Sequence, residues 1–267
     1  MVADTRSDCA RDAKMKRPIC GLVVVIATVL AGCATPPPPV PPIQSQRGDR
    51  IGVFVDIGDS PTHTHIGTTV FHNFEKTYTY HWDLKARVTE AIADALNHAG
   101  LQAVDLEAEG VAFPQTTGLV VPDGRAWRIA AGKDDLLHQF RDQLHLRGLI
   151  ALQEGTVVAA LECTGGPCSV RYVDRPGLYT RSVLTFTRYY AVAAFKWNLF
   201  VLDPPADMAT ADTLDQVLQA PGVPLISYGA PANFYNLTEA EFAPVRDAIV
   251  KYATYVTDNY AEALNAR

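Results

Sequence analysis

Apolar and polar residues recur with clear periods along most of this chain, and the period changes at identifiable places. Arg50 to Ile57 is a short, nearly continuous apolar run and predicts a buried strand. Ile66 to Tyr80 is rich in Thr, Val, Phe and Tyr with polar residues interleaved, which predicts one extended second strand. From Leu84 to Ala99 the period becomes helical: Val88, Ala91, Ile92, Ala95 and Leu96 form one stripe, and Gly100 stops it. Leu101–Leu106 and Gly118–Val121 predict strands, the second ending at the turn Pro122-Asp123-Gly124. Asp134 to Leu146 predicts a second amphipathic helix, using Leu136, Leu137, Phe140 and Leu144, and Leu149–Leu152 a further strand. Thr156 to Leu202 reads as successive strands. Ala211–Leu218 predicts a short helix and Leu225–Tyr228 a short strand. The last helix is announced by a capping box, Thr238-Glu239-Ala240-Glu241, with Leu237 and Phe242 placed as a hydrophobic staple. Phe242, Val245, Ile249, Ala253 and Val256 share its apolar face. This order predicts an α+β fold, with mixed α/β as the variant. It is a single domain over residues 50–267, in which helices cover one face of a mostly antiparallel sheet.

The first fifty residues follow a different pattern. Ile19 to Leu30 is apolar except for Gly21 and Thr28, and Lys14, Lys16 and Arg17 precede it. A basic start, a short apolar core and small residues at its end describe a secretory signal over residues 1–32. Met15 is a second candidate start, since three Asp residues lie ahead of it. The competing reading is an uncleaved anchor, although the run is short for a ~30 Å hydrocarbon layer. Residues 33–49 follow as a linker. Pro36 to Pro39 and Pro41-Pro42 predict a stiff polyproline spacer of roughly 20 Å, with a proline-rich recognition motif as the alternative.

The run closes on Leu30-Ala31-Gly32-Cys33, which resembles the bacterial lipobox. The resemblance implies cleavage after Gly32 and lipid attachment at Cys33. The next residue, Ala34, is not the Asp that retains such proteins in the inner membrane, which implies a periplasm-facing position in the outer membrane.

Composition narrows the partners. The chain has 267 residues, 48% hydrophobic and 19% charged, with formal net charge −6. Removing residues 1–32 takes away five of 23 basic and three of 29 acidic residues and leaves −8. Such a surface offers no general attraction to nucleic acid. Of five cysteines, Cys9 and Cys20 leave with the signal and Cys33 takes the lipid. Cys163 and Cys168 remain, in an oxidising compartment, between strands joined through Gly165-Gly166-Pro167, and predict a disulfide at a hairpin tip. A redox-active pair is the alternative, without the two-residue spacing or helix start such pairs use.

The stretch 50–203 resembles periplasmic modules typified by the TolB amino-terminal domain, the curli secretion lipoprotein CsgG and the penicillin-binding-protein activators. The resemblance rests on the opening strand Arg50–Ile57, the helix ending Asn97-His98-Ala99-Gly100 before Leu101–Leu106, and the helix ending Leu146-Arg147-Gly148 before Leu149–Leu152. It implies a protein-binding accessory role without catalysis or cofactor.

Candidate chemistry concentrates at residues 59–83. Gly58-Asp59-Ser60 after a strand resembles the nucleophile block of GDSL hydrolases, but no histidine follows His145 to act as their carboxy-terminal base. A turn ahead of Pro61 is the simpler account. His63 and His65 share one side of an extended segment, and with His72 and His81 could begin a metal site. The competing reading is surface or hydrogen-bonded histidines. Taken together, the sequence predicts a lipid-anchored domain that binds another envelope protein or the cell wall. An envelope hydrolase or metal-dependent enzyme using residues 59–83 is the alternative.

Overall fold

The structure is a computed structural model that describes residues 36–79, 81–161, 169–184 and 186–265. The predicted signal, Cys33, Cys163 and Cys168 lie outside the described residues. The fold is α+β. In chain order it runs β1 (Arg50–Asp56), β2 (Thr62–Ile66), β3 (Phe74–Thr77), α1 (Leu84–His98), β4 (Gln102–Asp105), β5 (Val120–Asp123), β6 (Ala126–Ile129), α2 (Asp134–His138), β7 (Leu146–Glu154), β8 (Val157–Leu161) and β9 (Ser169–Val173). It continues with β10 (Gly177–Val183), β11 (Phe186–Val192), β12 (Phe195–Leu202), β13 (Pro205–Asp207), α3 (Asp212–Leu218), β14 (Gly222–Pro224) and α4 (Glu239–Asn265).

Two five-stranded sheets organise the domain. The first has the order β13-β12-β7-β1-β4, with β1 parallel to both β4 and β7 and the other pairs antiparallel. Alternation along β1 divides its residues between two interiors. Val53 and Val55 face the core made with α1 and α4, where Val88, Ile92, Val245, Ile249 and Val256 are buried. Phe54 faces the other side, against Phe140, Leu119 and Val120. The two long helices thus share one face, and α2 with the β5–β6 hairpin covers the other. The second sheet has the order β14-β11-β10-β2-β3 and is antiparallel except for β2 with β10. The β8–β9 hairpin covers one of its faces, over Tyr179, Tyr190 and Val192.

The long helices form where the sequence pattern predicts them. The stripe of α1 is buried at Val88, Ile92, Ala95 and Leu96, and Gly100 ends the helix at a left-handed φ of +81° that suits glycine. The capping box of α4 is made: the Thr238 N–H donates to a Glu241 carboxylate oxygen at 2.6 Å, and the Glu241 N–H donates to Thr238 Oγ1 at 3.3 Å. Both staple residues, Leu237 and Phe242, are buried in one core.

Four elements differ from the sequence pattern. In place of a single strand from Ile66, the chain makes a hairpin: β2 ends at Ile66 and turns back into β3 through a 3₁₀ turn at Val70–His72, and Tyr80 lies outside the described residues. Gly67 makes the reversal possible: a Cβ there would lie 2.4 Å from the His72 Cβ, and its N–H donates to Asn73 Oδ1. The second helix stops at His138, continues as a π turn over Gln139–Gln143, and gives way to β7 at Leu146. The short strand expected at Leu225–Tyr228 falls instead at Gly222–Pro224. Finally, the proline-rich stretch is not a free spacer along its whole length. Pro38 and Ile43 are buried, Val40 packs on the core, and Trp127 Nε1 donates to the Pro39 carbonyl at 3.2 Å. Prolines lack an N–H, so they line an apolar wall without leaving a donor unmet.

Candidate functional site

The first candidate place is where β1 and β4 end. A cleft of about 590 Å³ opens there beside the start of α1, floored by Val53, Val55 and Ile57. Its rim carries Asp59, Asp83, Glu90, Asp105 and Glu107 against a single cation, Lys85. The crossover from β1 to β4 runs over one face through α1, and the crossover from β4 to β7 runs over the other through α2, so the chain changes side here. Such a switch point is the usual ligand position in parallel α/β sheets. The electrostatics here differ from those of a phosphate site. Asp83, the residue ahead of α1, sits at φ +55° and makes no side-chain cap. Asp59 supplies the cap from β1's end: its Oδ1 accepts the Leu84 N–H at 2.8 Å. A carboxylate therefore occupies the amide-rich helix start that would otherwise attract an anion. Asp105, Glu107 and Lys85 are engaged nearby. Asp105 Oδ1 accepts the N–H groups of Glu107 and Ala108, and Lys85 meets Glu107 at 2.8 Å. This cleft suits a cationic group and repels an anionic one.

The second place is the inner face of the second sheet. β2 runs parallel to β10, with His63 opposite Leu178 and His65 opposite Thr180. His63 is 0% and His65 is 6% exposed. The single hydroxyl of Thr180 bridges them, 2.8 Å from His63 Nε2 and 2.8 Å from His65 Nδ1. The same hydroxyl lies 3.5 Å from the Thr64 carbonyl, so its proton can go there while its oxygen accepts from a ring, and both contacts can be met by neutral imidazoles. Phe74 and Phe234 enclose the pair, with ring centroids 4.7–5.3 Å from the imidazoles. Burial lowers the pKa of His63 to about 3, helped by its neighbours His65 and Lys76, while the Phe234 backbone acts the other way. Burial also lowers His65, together with the charges of Arg181 and His72. The pair is an uncharged polar pin between β2 and β10.

The structure separates the other predicted site residues. His72 is exposed on its turn, with Nδ1 3.0 Å from Thr69 Oγ1. His81 is exposed and pairs with Asp59 at 3.2 Å. Among the described residues, no three His, Cys, Asp or Glu side chains come together as a metal site. The Gly58-Asp59-Ser60 turn serves the scaffold: the Gly58 N–H donates to Glu154 at 2.7 Å and Asp59 caps α1. Sequence reasoning missed Thr180 and Phe234. Neither carries a local signal, since each meets its partner only after the chain has crossed the sheet. Of the aromatics of β10 to β12, Tyr179, Tyr190, Phe195 and Phe200 are buried in core, whereas Phe186 at the start of β11 is exposed.

No family model matches this chain, and searches of curated proteins and of solved structures returned no significant match. Among the described residues, no helix is long and apolar enough to cross a membrane.

Proposed function

We propose that the chain is an exported, lipid-anchored envelope protein whose α+β domain binds another envelope component. The observation that carries this reading is the leader. A basic start and apolar core close on Leu30-Ala31-Gly32-Cys33, and the domain follows within a few residues. Lipid on Cys33 supplies the hold on a membrane, since acyl chains add about 0.8 kcal/mol per buried CH₂. Ala34 favours the outer membrane, with the domain facing the periplasm.

The commitments of the polar side chains support binding over catalysis. Asp59 is spent on a helix cap, and His63 and His65 are spent on Thr180. A nucleophile needs a base within hydrogen-bond reach, and these groups, the strongest candidates in the sequence, hold the fold together instead. Fractionation of Cys33→Ser tests the reading. It should leave the membrane fraction or accumulate as precursor, and normal processing and membrane retention would overturn the proposal.

A further inference from the structure

The helix α4 carries a second line of residues beside its core face. Phe242, Val245, Ile249, Val256 and Tyr260 pack inward. Ala248, Tyr252, Tyr255 and Asn259 follow one another at intervals of four, three and four residues, so they share a neighbouring strip of the helix. This strip is one wall of a groove of about 590 Å³, and α3 with the chain leading through β14 is the other. Val217 and Tyr252 are buried at its base. The Tyr252 hydroxyl donates to the Val217 carbonyl at 3.2 Å, which ties the walls together and spends the polar end of that side chain inside the protein. Ala220, Gly222 and Ala248 are small, so the walls stay apart above the base. From Ala248 to Asn259 the groove follows α4 for about three turns, or about 16 Å. A mostly apolar hollow of this size with a few polar groups at its edge is the usual form of a small-molecule site.

The charge at the edge selects the ligand. Lys251 is the one charged residue among those lining the groove, with Thr213, Gln216 and Asn259 as neutral polar neighbours. Among the described residues, no carboxylate oxygen lies within 4.0 Å of Lys251 Nζ. Asp247, one turn earlier, pairs with Arg246 at 3.3 Å, and Asp215 of α3 accepts from Gln219 Nε2 at 2.7 Å. On its other side Lys251 borders a hollow that holds Glu90, Asp94 and Asp247, and none of these reaches it. The wall opposite is neutral: from Gln216 to Thr238 there is no Asp, Glu, Lys or Arg, in a chain of net charge −6. An ammonium without a counter-charge forms a charge-assisted bond to an anion, and the apolar hollow beside it gains by covering an apolar tail. A groove that follows a helix for three turns fits one extended chain.

We propose that this groove binds a single-chain anionic amphiphile, its acyl chain laid along Tyr252 and Tyr255 and its carboxylate or phosphate head at Lys251. The site lies wholly within residues 213–259, so the inference stands apart from the anchored reading. The test uses the full chain in phosphatidylcholine nanodiscs and a dodecanoate carrying a photoreactive diazirine at mid-chain. Illumination and peptide mapping should place the label within residues 213–224 and 248–259. Unlabelled dodecanoate and dodecyl phosphate should compete for the site, the stronger competitor naming the head group, whereas dodecylammonium should not. Lys251→Glu should cut labelling about tenfold, the loss of one charge-assisted contact, and Lys251→Arg should retain it. Ala220→Trp fills the hollow from an exposed position after α3 and should abolish labelling with the unfolding midpoint unchanged. Absence of label from the groove, label spread evenly along the chain, labelling unmoved by Lys251→Glu and Ala220→Trp, or equal competition by dodecylammonium would overturn the proposal.

Discussion

The two sheets of this domain are built from similar residues and finished in opposite ways. The first is closed: α1 and α4 cover one face, α2 and the β5–β6 hairpin cover the other, and β1 is buried through its centre. The second is closed only near its root, where a neutral histidine pair and a small hairpin fill its two faces. Its far end leaves Phe71, Leu184 and Phe186 in solvent. The contrast teaches that apolar residues in this chain stand in two settings. In the first sheet they are buried and provide stability; at the tip of the second, among the described residues, they are exposed to solvent.

Substitutions should break that contrast in a definite order. The largest effect is expected at Tyr260, which is fully buried between α4 and the first sheet and donates to the Phe200 carbonyl at 2.7 Å. Tyr260→Ala should cost about 3–5 kcal/mol of unfolding free energy, measured by urea denaturation. A loss below about 1 kcal/mol would mean that the first sheet is not the stable part.

The histidine pin comes next. Thr180→Val removes the partner shared by both rings and should cost about 1–3 kcal/mol. The pin also sets a pH dependence. Both folded pKa values lie below the ordinary 6.5, so the unfolded chain binds protons that the folded chain refuses. Stability should therefore fall as pH drops from about 6.5 toward 3, by up to about 1.4 kcal/mol per pH unit from His63, with His65 acting in the same direction. Replacing both His63 and His65 with Gln should flatten that limb in a melting-temperature series. An unchanged slope would show that the pair is not the source.

How much of this was legible in the sequence depends on how far apart the partners lie. The α1 stripe, Gly100 and the Thr238–Glu241 box involve residues at most a few turns apart, so periodicity and spacing reveal them. The β2–β3 reversal is local too, but its signal at Gly67 and Asn73 is masked by the Thr, Val and Phe residues between them, which favour strand. The Asp59 cap and the Thr180 bridge are not local. Asp59 meets Leu84 across 25 residues, and Thr180 meets His63 across 117. Side-chain alternation correctly placed His63 and His65 on one side, but it cannot show that a hydroxyl from β10 waits there.

Smaller effects sharpen the comparison. Asp59→Ala should destabilise by about 1 kcal/mol, the usual cost of a lost cap, with the change localised by hydrogen exchange to the first turn of α1. Phe71→Asp should change unfolding free energy by no more than about 0.5 kcal/mol, because the side chain is already in water. A large loss there would show that the turn supports the fold and is not surplus to it.

Mass spectrometry of the mature amino-terminal peptide, from protein extracted from its native membrane, tests the central claim most directly. The expected result is a chain that begins at Cys33, with a diacylglyceryl thioether on its sulfur and no residue of the leader remaining. A free Cys33 thiol, or a mature chain still carrying residues 15–32, would contradict it.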